Sequence, residues 1–210
     1  RRAWRRPLDE AARSAVLAPF SRALAAGDAP RNALRQALQT MLVSPSFLMR
    51  VEDAPERGAG AEEDSGERAV NAHALASRLS YFLWSSLPDE PLMKLASDGA
   101  LLDDAVLRRE VGRVLRSPRS LAFGRSCASQ WLAYRGLCTR IKPAPSDNPF
   151  MTDSLRADMR EEVARYVHRL FVKSSPFEEL LEGKQSYVSK ELATFYRFRK
   201  TSRSSRLPTW

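Results

Sequence analysis

The 210-residue chain carries 43% hydrophobic residues, 13 Pro and two Cys, enough apolar content for one sizeable core or two small ones and too much for a wholly disordered chain. No apolar run approaches the roughly 18 residues of a membrane span, and two cysteines cannot build a disulfide framework or a four-thiolate zinc site. The net charge of +9 raises nucleic acid as a partner, but Arg1, Arg2, Arg5 and Arg6 at one end and Arg197, Arg199, Lys200, Arg203 and Arg206 at the other account for the whole excess, so the body is neutral and nucleic acid is the less favoured partner.

Residues 8–26 keep apolar residues at helical spacing up to Gly27, with Pro19 placed to kink or split the helix. Asp28 is expected to cap a second helix over NALRQALQTMLV, with Leu34, Leu38, Met41 and Leu42 on one face. Ser44-Pro45 stops that helix and starts a short turn carrying Phe47 and Leu48, which makes residues 1–52 a small N-terminal helical domain built on a hairpin. Residues 53–70 combine acids, Gly and Ala with almost nothing to bury, the composition of a solvated linker.

Residues 71–196 read as the main helical domain. Asn71 begins AHALASRLSYFLW, where Ala72, Leu75, Ala76, Leu79, Phe82 and Leu83 make one apolar face. Tyr81 and Trp84 lie on the other side, so this helix is expected to be covered on both faces. In Ser85-Ser86-Leu87-Pro88-Asp89-Glu90 a Ser cap, a proline and two acids restart a helix that carries Leu92, Met93 and Leu95 and closes at Gly99. Asp103 or Asp104 caps LRREVGRVLRS, and Ser117-Pro118 starts the next helix, whose Trp131, like Trp84, is expected to be buried. Residues 138–150, with three prolines, form a loop.

From Thr152 runs the clearest helix, with Leu155, Met159, Val163, Tyr166, Val167, Leu170 and Phe171 in one stripe. Ser174-Ser175-Pro176 ends it, FEELLEG gives a short helix closed by Gly183, and Ser189 caps KELATFYRF. Hardly any segment alternates with period two. The fold class is therefore all-α, a multi-helix bundle preceded by the smaller hairpin domain. Residues 197–210 form a basic, Ser-rich tail with few core residues.

A covalent c-type haem site needs two thiols three apart followed by an axial His. Cys127 and Cys138 are eleven apart and are followed by Ala128 and Thr139, so no cofactor is assigned to this chain. Cys127 shares a helical face with Phe123 and Trp131, which favours a buried structural thiol over a Cys127–Cys138 disulfide, and a nucleophilic thiol has no local His to activate it. His168 shares a face with Glu161 and Arg165, opposite the apolar stripe, and reads as a solvated His beside an ordinary i,i+4 ion pair. His73 has no carboxylate or thiol at metal-ligand spacing. Asp89-Glu90 and Asp103-Asp104 are explained as first-turn charges rather than an acid/base pair. Nucleophile-elbow, P-loop and dinucleotide-turn motifs are missing from the sequence, and no catalytic, cofactor-binding or metal residue is assigned.

At Leu75–Asp89, LASRLSYFLWSSLPD, the sequence resembles the helical domains of unknown function in large planctomycete-type cytochrome-c-containing proteins. The resemblance continues through SPRSLAFGRSCASQWLAYRGL, NPFMTDSLRADMREEVARYVHRLF and SYVSKELATFY, while RRAWRRPLDE and NALRQALQTMLVSPSFLMRVE look like the smaller helical domain that precedes it. Such proteins are typically exported and carry a haem-binding cytochrome region outside the matched part. The resemblance thus implies a periplasmic or cell-envelope location and a fragment lacking that region, with other domains of the same protein, or a redox partner, as what it contacts. The chain opens on Arg1, as expected for a processed product or a piece of a longer protein. After Tyr196 the family would continue with a Gly-containing turn; RFRKTSRSSRLPTW departs from this, as a truncated or frame-altered end would. Three functions follow: a non-catalytic helical module that docks or organises redox or partner domains, an enzyme domain acting on an extracellular substrate with electrons passed to a cytochrome region, and a basic nucleic-acid-binding protein.

Overall fold

The computed structural model describes residues 3–49, 70–138, 150–183 and 185–198. The linker read at 53–70 falls outside these except for its last residue, as do most of the 138–150 loop and the tail beyond Phe198. Among the described residues all regular structure is helical: α1 (Glu10–Ala25), α2 (Pro30–Val43), α3 (Pro45–Leu48), α4 (Ala72–Trp84), α5 (Glu90–Ser97), α6 (Asp104–Arg116), α7 (Leu121–Trp131), α8 (Asp153–Val172), α9 (Glu179–Glu182) and α10 (Lys190–Phe195). Short 3-10 turns stand at Ala100–Leu102, Pro118–Ser120 and Tyr134–Cys138. The chain forms two compact units, one of Arg1–Tyr81 with Ser86–Arg108 and one of Phe82–Ser85 with Arg109–Trp210.

In the first unit α1 and α2 pair as a helical hairpin. Pro19 does not split α1. The ring removes one backbone donor, but the Asp9 carboxylate caps the first turn by accepting from the Ala12 amide at 2.6 Å, and Gly27, at φ +86°, closes the last. There the Asp28 amide donates to the Ala23 carbonyl and Gly27 to Leu24, each at 3.0 Å, the paired bonds of a Schellman ending. Asp28 is therefore spent on closing α1 and does not cap α2. That role falls to Ala29, with Pro30 in the first turn supplying the pre-set φ, and the Asp28 carboxylate accepts instead from the Gln36 amide at 3.3 Å.

The expected face of α2 is also reversed. Ala33 and Ala37 are buried, whereas Leu34 is 53% exposed and Leu38 and Leu42 are exposed with it. Two apolar stripes compete on this helix, and the alanines let another backbone approach more closely than leucines would.

Arg5, counted among the basic residues of the N-terminus, is buried. Its guanidinium donates to the Ser46 and Met49 carbonyls, each at 2.8 Å, and to the Tyr81 hydroxyl at 3.1 Å, so it staples the leading segment to the turn around α3 and to α4 and is withdrawn from any phosphate. The core of this unit gathers Ala72, Ala76, Leu92, Ala96 and Leu101, with Leu75, Leu79, Leu95 and Leu107 packed against them. Asn71 caps α4 by accepting from the Ala74 amide at 2.7 Å. The restart before α5 is capped by Asp89, which accepts from the Leu92 amide at 3.1 Å, and not by a serine; Ser85 instead takes φ +50°. Asp103 caps α6 through the Val106 amide at 2.9 Å.

In the second unit Trp84 is only 4% exposed. Its indole N–H donates to the Val114 carbonyl at 3.0 Å, and the Arg119 guanidinium lies 4.2 Å from its ring centroid. Phe82, placed by periodicity on the apolar face of α4, is 65% exposed, although its ring tilts against Phe123 at 5.1 Å, which in turn meets Phe171 edge-on at 4.8 Å. Thr152 caps α8, and Ser189 caps α10 as expected, each accepting from an amide at 3.0 Å. Leu155, Val188 and Leu192 make the small core that joins these two helices. After α10 the chain turns through Arg197 at φ +56°, with the Phe198 amide on the Ala193 carbonyl at 3.0 Å. An arginine thus takes the left-handed conformation in the stretch where the resemblance implies a Gly-containing turn, a conformation costing an L-residue about 1–2 kcal/mol.

Candidate functional site

The longest packed helix pair in the second unit, α7 against α8, brings together most of the side chains with chemical potential. Gly124 makes this approach possible: an added Cβ would stand 2.5 Å from the Ala164 carbonyl oxygen and 2.8 Å from the His168 Cβ. The face of α8 carrying Glu161, Arg165 and His168 is consequently not a solvated surface but a wall of the α7–α8 contact. His168 is half-buried, and its Nε2 lies 2.6 Å from the Ser120 hydroxyl oxygen. Ser120 is fully buried and also lies 2.5 Å from the Leu115 carbonyl and 2.6 Å from that of Ser117. The helical wheel placed these three residues together correctly; it could not name the helix that covers them.

Glu161 keeps the expected i,i+4 pair with Arg165 at 2.9 Å but is also gripped by Arg125 of α7 through two parallel bonds of 2.8 and 2.9 Å. Burial pushes the Glu161 carboxyl up, yet the hydrogen bonds and charges of Arg125 and Arg165 outweigh it and hold the group below the usual carboxylate range. Glu161 is therefore ionised at neutral pH. Beside it a hollow of about 260 Å³ is lined by Arg125, Ser129, Tyr134, Arg135, Ala157, Arg160 and Glu161. Burial raises the Tyr134 pKa, with Glu161 and Cys127 adding to the effect and Arg160 opposing it.

A second concavity of about 420 Å³ is almost wholly apolar and is lined by residues including Cys127, Trp131, Val167, Leu170, Phe171 and Phe177. Here one expectation fails. Trp131 is 53% exposed, with its ring tilted on Phe177 at 5.6 Å, because the stripe Phe123–Cys127–Trp131 runs outward along α7. Phe123 is in the core, Cys127 is half-buried and Trp131 stands on the rim. Cys127 is a free thiol and so takes no part in the alternative disulfide with Cys138. His73 lies 3.4 Å from the Ser97 hydroxyl in the first unit. Among the described residues no three His, Cys, Asp or Glu side chains gather as metal ligands.

Residues 70–198, which include this whole arrangement, match the model of PSD4, described as a protein of unknown function (DUF1592). The chain belongs to the PSD4 family. Residues 1–52 match a second model, PSD5, also a protein of unknown function (DUF1595). No curated protein matches the chain, and no solved structure does. The PSD4 region thus holds both concavities, and its motifs are those that carried the resemblance in the sequence.

His168 gives this region a measurable pH signature. Burial lowers its pKa and the Arg165 charge adds to this, against an opposing hydrogen bond to the Leu115 backbone. A histidine whose folded-state pKa lies below its ordinary 6.5 binds the proton more readily when unfolded. It contributes stability above that value and loses it as pH falls through the folded-state pKa. Melting temperatures measured from about pH 7 down to about pH 5 should fall more steeply for the intact chain than for His168→Gln. Equal slopes would place the titrating group elsewhere; the Glu161 contribution is lost only at lower pH, because its own pKa is depressed.

Proposed function

We propose that this chain is a non-catalytic docking module of a longer, exported, cytochrome-c-linked bacterial protein, with residues 1–52 and 71–196 as two helical domains joined by the acidic stretch 53–70. The two family models, meeting the chain at 1–52 and 70–198, support the division. The observation that carries the docking role is the apolar groove whose rim exposes Trp131 and Phe177. Aromatic side chains around an apolar hollow supply large contact area at low conformational cost, as interface anchors do. The occupant in this reading is another domain of the same polypeptide, since the proteins that the motifs resemble carry further domains. An enzyme would need an available acid or base. In the polar hollow Glu161 is fixed as an anion between two arginines, and His168, outside its lining, faces a serine that is fully buried and closed to substrate.

Cys127 in the groove provides the test. In the full-length protein a seated domain should slow alkylation of Cys127, followed by peptide mass mapping, by about tenfold relative to the isolated chain, as expected where the open groove is a minor population. Identical rates in the two proteins would sink the docking reading. The cytochrome link is read separately from the same full-length reading frame, which should carry a Cys-x-x-Cys-His segment and a signal peptide.

A further inference from the structure

The polar hollow between α7, α8 and the turn at Tyr134–Cys138 carries an imbalance of charge. Arg125, Arg135 and Arg160 line it, and Glu161 is the one carboxylate among the lining residues. That carboxylate is already shared: both its oxygens accept from Arg125, and Arg165 holds it from the other side at 2.9 Å. Three guanidinium groups thus line the hollow beside one carboxylate. Arg160 makes no hydrogen bond or ion pair with another described residue, while Arg135 reaches the Ser129 hydroxyl at 3.4 Å. Like charges that converge on a concave surface raise the local positive potential and favour an anion there.

We propose that this hollow binds a small tetrahedral oxyanion, a phosphate or a phosphate monoester, between Arg125, Arg135 and Arg160. Guanidinium forks match the oxygens of such a group in parallel pairs, and three of them arriving from separate elements suit an anion with more than two oxygens and about two charges better than a single carboxylate. Tyr134 and Ser129 add hydroxyl groups to the lining, and the raised Tyr134 pKa keeps its phenol a donor at neutral pH. The volume, about 260 Å³, admits the anion with a small substituent.

Titration of the full chain with inorganic phosphate, followed by calorimetry and phosphorus NMR, tests this. Saturable binding is expected, weakened about tenfold in Arg160→Gln and further in the double variant with Arg135→Gln. Both side chains are exposed, so the helical circular dichroism spectrum and melting curve of these variants should match the parent. Arg116→Gln, on an exposed residue outside the hollow, should bind as the parent does. Sulfate should compete with phosphate, and acetate should not. The proposal is overturned by non-saturable binding, by an equal loss in Arg116→Gln, or by acetate binding as tightly as phosphate.

Discussion

Replacing Trp84 with Ala should cost the second unit about 3–5 kcal/mol, the range for large aromatic truncations in a closed core, while Trp131→Ala should cost less than about 1 kcal/mol, as for a residue that gives up little buried area. The two indoles sit at the ends of helices with similar apolar content, yet Trp84 is 4% exposed and Trp131 53%. At Trp84 the loss has three parts. The ring leaves a cavity, the Val114 carbonyl loses its indole donor at 3.0 Å, and the Arg119 guanidinium loses the ring face 4.2 Å beneath it. A buried carbonyl stripped of its partner adds to the cavity term, and a cation that was stacked must be solvated afresh. At Trp131 the substitution removes one wall of an open groove and a tilted contact with Phe177. Urea denaturation of both variants decides the matter; equal losses would mean that the groove is closed by some further element in solution.

What the sequence made legible is mostly what is local. Asp103 and Ser189 were readable as caps, and Asn71 and Thr152 as the starts of their helices, because a cap is a bond between a side chain and an amide three residues on. Where two candidates stood close together the reading faltered, as at Ser85 against Asp89, since composition does not say which residue enters the helix first. Faces were less secure than helices. On α2 the leucine stripe outweighs the alanine stripe in hydrophobicity, but Ala33 and Ala37 are the buried residues, because the distance between backbones rather than side-chain volume sets which face meets the neighbour.

The polar hollow was not legible at all, since its arginines come from α7, α8 and the turn after α7, and nothing in their spacing announces a meeting. Only Glu161, Arg165 and His168 shared a readable face, and that face was assigned to solvent. One signal was available: Gly124 stands in the middle of a helix, four residues before Ala128, where a residue without a side chain serves little purpose unless something packs against it.

That position should show how much depends on it. Gly124→Ala would gain about 1 kcal/mol of helix propensity at an unhindered site, so a net loss measures the obstruction directly. Here the new Cβ would meet the Ala164 carbonyl oxygen at 2.5 Å and the His168 Cβ at 2.8 Å. The first is backbone and the second the rigid root of a side chain, so neither yields without α7 and α8 moving apart. Overpacking of this kind costs about 1–3 kcal/mol or more, and Gly124→Val should exceed Gly124→Ala because its branches reach further. Separation of the helices would also stretch the bonds of Arg125 to Glu161 and of His168 to Ser120, both of which bridge the same contact. Gly112→Ala in α6 is the matched comparison. Its Cβ would meet the Arg116 Nη2 at 2.8 Å, the far end of a flexible and exposed side chain that can swing away, so this variant should be neutral or more stable by up to about 1 kcal/mol. Thermal and urea unfolding of the three variants should therefore give opposite signs for the same substitution at two helical glycines. A stabilised Gly124→Ala would mean that α7 and α8 do not pack at the distance on which the half-buried His168, the ionised Glu161 and the arginine-lined hollow all depend.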